Sequence, residues 1–219
     1  MRTRFVVLLI GSFVVAGTEV HAQTCRGSVS IAQRAHGVVD VGTAFAKHVN
    51  SYGASVGGGS DAWFAGGGVQ GLHYSDLDAR TWALTGVGGA QIATDPGRYL
   101  MVCPMAAVSF ERANAIFGED MSASTLTTNM GAAVGVNAFQ STVVSLVPTA
   151  GLFLTNARTR FGPATERVTV SDTFTTLHAG VGVLIGERSS ITPLFMIPIG
   201  LEGGETAFSL TYAFSFGRR

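Results

Sequence analysis

The stretch that decides the fold is AFSLTYAFSF, residues Ala207–Phe216, near the end of a 219-residue chain. Phe208, Leu210, Tyr212, Phe214 and Phe216 take every second position, with Ala207, Ser209, Thr211, Ala213 and Ser215 between them. A helix would scatter the five large side chains around its circumference, whereas a strand places them on one face. The stretch therefore reads as a strand, and its aromatic face needs an apolar neighbour. A second sheet is that neighbour in a soluble sandwich. In a membrane barrel it is lipid, and the small polar face lines the interior.

The other end of the chain narrows the choice. MRTRFVVLLIGSFVVAGTEVHAQTC places Arg2 and Arg4 before an apolar run from Phe5 to about Ala16, followed by the small-residue pattern Val20-His21-Ala22. This is the layout of a secretory signal peptide cleaved after Ala22, and the run is shorter than the roughly 20 residues a membrane helix needs. The mature chain is one charge from neutrality, so it carries no basic field for nucleic acid. Charged residues make up 13% of the chain, about half the usual soluble share. Mean hydropathy is +0.36 although no apolar run in the mature part is long enough for a membrane helix. Only helices and closed barrels satisfy all backbone groups in lipid, so a membrane location implies a barrel. The two cysteines, Cys25 and Cys103, are an even count in an exported chain, which points to a disulfide between them.

Alternation between turn signals predicts ten strands near residues 38–48, 52–58, 62–74, 80–93, 98–110, 123–137, 142–157, 172–186, 191–200 and 206–216. Eight strands is the alternative count. Short turns at GGSD (58–61), TDPG (94–97), NAFQS (137–141) and GERSS (186–190) alternate with longer polar segments at 75–80, 111–122 and 157–171. Charges concentrate in the connections, and no acidic residue is expected in the middle of a strand. Tyr52, Trp63, Tyr74, Trp82, Tyr99, Phe110 and Phe174 lie near strand ends, where interfacial aromatic girdles belong. The expected fold is all-β: a closed antiparallel up-and-down transmembrane barrel. Its expected domains are a signal peptide (1–22), an N-terminal periplasmic or lumen-plugging segment (23–37) and the barrel (38–219).

With these features the chain resembles the small outer-membrane β-barrel proteins of diderm, Gram-negative-type bacteria. Phe208, Leu210, Tyr212, Phe214 and Phe216 match the C-terminal pattern by which the barrel-assembly machinery recognises such chains, except that Gly217-Arg218-Arg219 follow the final aromatic. The resemblance implies an outer-membrane location and outer-membrane lipid as surroundings. It implies no particular activity.

Chemistry-bearing motifs are sparse. His21, His36, His48, His73 and His178 show no metal-ligand spacing, and no cofactor motif is present. GVGGA (86–90), GAAVGV (131–136) and GGGVQG (66–71) lack a phosphate-loop lysine and open no helix. His178 falls on the inward face, but a catalytic base needs a nucleophile and an orienting partner, and none is legible. The expected protein is non-enzymatic, either a membrane anchor or a narrow, largely closed channel with surface loops. The alternatives are a surface adhesin using loops 111–122 and 157–171, with an unknown surface partner, and a soluble exported β-sandwich or ligand-binding barrel. In intact cells, an impermeant thiol reagent is expected to reach engineered cysteines in 111–122 and 157–171 and to miss those in 94–97. Equal labelling at all three would remove the topology.

Overall fold

A computed structural model describes residues 36–59, 63–76, 79–93, 100–114, 121–136, 138–140, 143–163, 167–185 and 188–216. Among the described residues there are twelve strand segments: β1 (His36–Phe45), β2 (Val49–Gly59), β3 (Trp63–Tyr74), β4 (Ala79–Ala90), β5 (Ile92–Ala93), β6 (Leu100–Asn114), β7 (Met121–Val136), β8 (Phe139–Gln140), β9 (Val144–Pro163), β10 (Val168–Ile185), β11 (Ser189–Ile199) and β12 (Ala207–Phe216). β5 and β8 are two-residue pieces paired to β6 and β9. The other ten form one antiparallel ring in chain order, and β12 closes it on β1. The ten-strand count holds, and a single closed ring replaces the two packed sheets of a sandwich.

The seam is built by the opening stretch itself. Gly37 pairs with Phe216 and Phe45 with Phe208, so β12 is hydrogen-bonded along its length. Gly37 suits this place, because the Phe216 ring lies where a Cβ would stand and would have to swing aside for a larger residue. The predicted alternation is also realised. Ser209 and Thr211 are buried inside, while Leu210, Tyr212, Phe214 and Phe216 are each exposed by more than 40% on the outer surface. The same parity puts Val134, Leu146 and Val181 outside and Gly182 inside. Soluble monomers rarely expose so continuous an apolar surface, and lipid is its natural solvent.

The strands are unequal in a way the hydrophobic pattern does not reveal. β6 continues to Asn114, β9 to Pro163, and β10 starts at Val168, so much of the two long predicted loops is paired strand. Along β9, Ala157 and Thr159 point inward while Arg158 and Arg160 point outward. The period of two persists there, but the outward positions are charged and the inward ones small or hydroxylic. β9 has 20 residues and β10 has 18, against 10 in β1 and in β12. Tilted strands cross the membrane core in about 9–11 residues. The β6–β10 side of the ring therefore rises well above the apolar belt at the end bearing the longer connections, called the outer end below.

Leu210→Arg or Val181→Arg is expected to cost roughly 2–4 kcal/mol when unfolding is measured from lipid vesicles, because each puts a cation into the apolar belt. Unchanged stability of both variants would contradict the assignment of this face to lipid.

Candidate functional site

The barrel interior is the one enclosed environment the fold creates, and large side chains fill much of it. Near the inner end Phe64, Val87, Met101, Cys103, Met105, Ala133 and Phe153 form an apolar cluster. Toward the outer end lie two more: Ala44, Phe174, Leu194, Met196 and Ala207 from one side, and Val49, Leu72, Tyr74 and Ala83 from the other. Small inward residues on β12 and β1 make room for these bulky neighbours, so the lumen is packed and is not a smooth narrow tube.

A polar ladder lines the wall. Ser55 donates to Asp40 at 2.6 Å and Gln70 to Ser51 at 2.8 Å. Thr125 and Thr159 share a bond of 2.9 Å, and Thr155 donates to Asn129 at 2.6 Å and lies 3.1 Å from Thr176. Each bond ties neighbouring strands together and satisfies a group that would otherwise be costly to bury. Beside Asp40, Ser55, Gln70 and Thr85 lies a cavity of about 10 Å³, room for roughly one water.

Three acidic residues overturn the expectation of acid-free strands: Asp40, Glu111 and, in β10, Asp172 with its buried Oδ2. Asp40 is buried within β1, and Glu111, expected in a loop, points inward from β6. Tyr74 donates to Glu111 Oε1 at 2.5 Å and Thr81 donates to the same oxygen at 2.6 Å, whereas Oε2 is buried without a hydrogen bond. The carboxylate thereby links β3, β4 and β6. His178 also lies inside, with its ring 4.6 Å from that of Phe153, centroid to centroid.

At the outer mouth, His48 joins three connections. Its Nδ1 lies 2.7 Å from Asp76 Oδ2 and its Nε2 3.1 Å from Glu205 Oε1. The Ser75 amide donates to the His48 carbonyl at 3.0 Å. This cluster was invisible as spacing because its members are far apart in sequence. No group of three or more metal-ligating side chains is arranged for a metal ion among the described residues.

The aromatic residues divide. Tyr52, Trp63, Trp82 and Phe110 point outward, with Tyr52 lying across Gly71 of β3. Tyr74 and Phe174 are corrections: both are buried in the lumen, at 2% and 3% exposure, and neither belongs to a lipid-facing girdle. Parity is the reason, since Tyr74 follows Gln70 and Leu72 on the inward face of β3, and Phe174 precedes Thr176 and His178 on that of β10. Tyr99, Cys25 and Phe117, the aromatic residue of the expected adhesin loop 111–122, lie outside the described residues; Cys103 is fully buried on the inward face of β6. Phe161 sits at partial exposure within β9 rather than on a loop.

No family model and no curated protein matches the sequence. Among solved structures, the β domain of the Bordetella autotransporter BrkA is similar, with 14% identity over 84% of this chain and 100% of that one and a TM-score of 0.51. Ail, the attachment invasion locus protein of Yersinia pestis, has 10% identity over 83% and 97% of the two chains, with a TM-score of 0.42. The N-terminal barrel domain of Pseudomonas aeruginosa OprF has 14% identity over 84% and 98%, with a TM-score of 0.38. All three are outer-membrane barrels, and the likeness to the BrkA domain is one of fold alone.

Tyr74→Phe and Thr81→Val each remove one donor from a buried carboxylate, and each is expected to cost about 1.5–3 kcal/mol in unfolding from vesicles. The double variant should cost less than the sum of the two, because both act on one oxygen. Additive losses would show that the two bonds are independent.

Proposed function

We propose that this outer-membrane β-barrel is a non-enzymatic membrane anchor whose lumen is closed or nearly so, and which presents a raised wall and short loops at the cell surface. The observation that carries this reading is the lumen itself. Bulky apolar clusters near both ends leave the polar ladder bonded to itself instead of facing an open aqueous path. A conducting pore of the porin kind would instead keep a water-filled polar interior.

In this reading the signal peptide is removed after Ala22, and the barrel-assembly machinery receives the chain through Phe208, Leu210, Tyr212, Phe214 and Phe216. The ring then closes in the outer membrane with both termini in the periplasm. The segment before β1 is a tethered plug held by a Cys25–Cys103 bridge. Supporting this, Cys103 points into the inner apolar cluster, and no cysteine among the described residues is free. Ten residues separate Cys25 from β1, and they span roughly 35 Å when extended, ample for a return into the barrel. A second reading, that of a surface interaction protein, is favoured by the height of the β9–β10 hairpin, which projects paired strand beyond the belt where a partner could dock.

In planar bilayers the purified barrel is expected to be silent, and Cys103→Ser to show a raised conductance while keeping heat-dependent gel mobility. Large steady channels from the wild type would overturn the closed-lumen reading. Two free thiols by mass spectrometry of the non-reduced mature protein would remove the tether.

A further inference from the structure

The outward surface changes chemistry along its length, most strongly on the β6–β10 side of the ring, while β2, β3 and β4 end in a single polar row of Asn50, His73 and Arg80. On β6, β7 and β9 the large outward residues are apolar through Val108 and Phe110, Met130 and Leu126, and Leu152 and Leu154, with Thr128 and Asn156 paired as the first polar positions at the upper edge. Beyond them the surface turns basic and hydroxylic. Cα pairing aligns Arg112 of β6, Ser124 of β7, Arg160 of β9 and Thr169 of β10 in a single row. The adjoining row, nearer the belt, holds Phe110, Leu126, Arg158 and Ser171. On the far side of the ring, Ile199 of β11 and Phe45 of β1 keep the outward face apolar to the strand ends.

Paired strands lie about 4.8 Å apart and alternate residues about 7 Å apart along a strand. Arg112, Arg158 and Arg160 thus rise from a triangle with sides of roughly 7–12 Å, and all three are exposed. The acidic residues of the same strands face the other way: Glu111 is buried in the lumen and Asp172 Oδ2 is buried as well. Arg158 and Arg160 have no ion pair among the described residues.

The geometry points to a binding surface for the phosphate-bearing headgroup of a membrane lipid, formed by Arg112, Arg158 and Arg160 with Ser124 between them and Thr169 and Ser171 beside them. This rests on the reading that the barrel sits in an outer membrane with its outer end at the surface. Two features select a lipid over a soluble anion. The arginines stand on the outer wall and away from the mouth. Phe110 and Leu126 share the row of Arg158, and below the mixed row of Val108, Thr128, Asn156 and Thr173 the apolar belt begins at Met130 and Leu154, so one molecule can lay its acyl chains on the belt, its glycerol region beside Thr128 and Asn156 and its phosphate on the guanidiniums. The guanidinium fork matches phosphate oxygens two at a time, and the hydroxyls offer further donors.

The test uses the mature barrel folded in zwitterionic detergent, with retained lipid counted by native mass spectrometry after addition of phosphatidic acid, phosphatidylglycerol or phosphatidylcholine. Wild type is expected to retain the two anionic phospholipids in preference to phosphatidylcholine. The combined R112Q, R158Q and R160Q variant should bind them roughly tenfold or more weakly, and R188Q, altered in an inner turn, should bind like wild type. No preference by wild type, or equal retention by the triple variant, would overturn the proposal. So would tight binding of heparin without phospholipid retention, which would assign the surface to a sulfated glycan. Should the triple variant fail to fold, R158Q and R160Q singly are expected to show smaller losses, and the absence of any loss in either counts against the site. Heat-dependent gel mobility is recorded for every sample. A wild type that lacks it and stays soluble without detergent removes the membrane reading and this proposal together, a result distinct from a folded barrel without lipid preference.

Discussion

Everything in this structure depends on the hydrogen bonds between β1 and β12. A strand edge in hydrocarbon leaves its N–H and C=O groups with no partner, at several kcal/mol each, so an open ten-stranded sheet has no place in a bilayer. The pairing from Gly37–Phe216 to Phe45–Phe208 removes both edges at once. It also fixes register, since a slip of one residue would turn the aromatic face of β12 inward and its serines toward lipid. The bare Cα of Gly37 admits the Phe216 ring at the end of the seam, where a larger residue would push it away.

Closure creates an inside, and the inside has to be filled or wetted. Here it is mostly filled, and the filling is layered: apolar clusters near the ends with bonded hydroxyls, amides and carboxylates between them. The layers divide the work. Apolar packing excludes water, while bonds such as Asp40–Ser55 and Thr155–Asn129 connect adjacent strands through their side chains as well as their backbones. Glu111 is the most demanding member of this system, because a carboxylate is tolerated in such a place only when donors converge on it. Tyr74 and Thr81 do so from two different strands.

Much of the barrel was legible in the sequence, because lipid outside and packing inside impose a strict alternation. AFSLTYAFSF and the segments around Val134, Leu146 and Val181 carry it openly. The outer strand extensions were not legible by hydrophobicity, since above the belt water lies outside and hydroxyls lie inside. In ARTRFGP the remaining signal is Arg alternating with Ala and Thr, a period of two written in size and charge. ERAN hid Glu111 for the same reason: charge on both faces reads as loop. Tyr74 and Phe174 could have been placed by carrying the parity of each strand to its end, ahead of the habit that aromatic residues near strand ends belong to the interface. The His48 cluster and the arginine rows depend on which strands are neighbours, and a linear pattern does not contain that information.

The difference in strand length gives the molecule a property that an idealised barrel lacks. At about 3.3 Å per residue, the wall formed by β9 and β10 is close to twice as long as that formed by β12 and β1. The rim therefore slants, and rotation about the membrane normal no longer leaves the object unchanged. A neighbour drifting in the bilayer meets a low greasy flank from one bearing and a tall basic parapet from the opposite one. Two copies brought together at their low flanks join apolar surfaces of equal height, whereas a tall flank set against a low one leaves guanidiniums without a matching surface. In-plane encounters are thus sorted by compass direction, and a barrel that is an almost featureless cylinder within the belt acquires a front and a back.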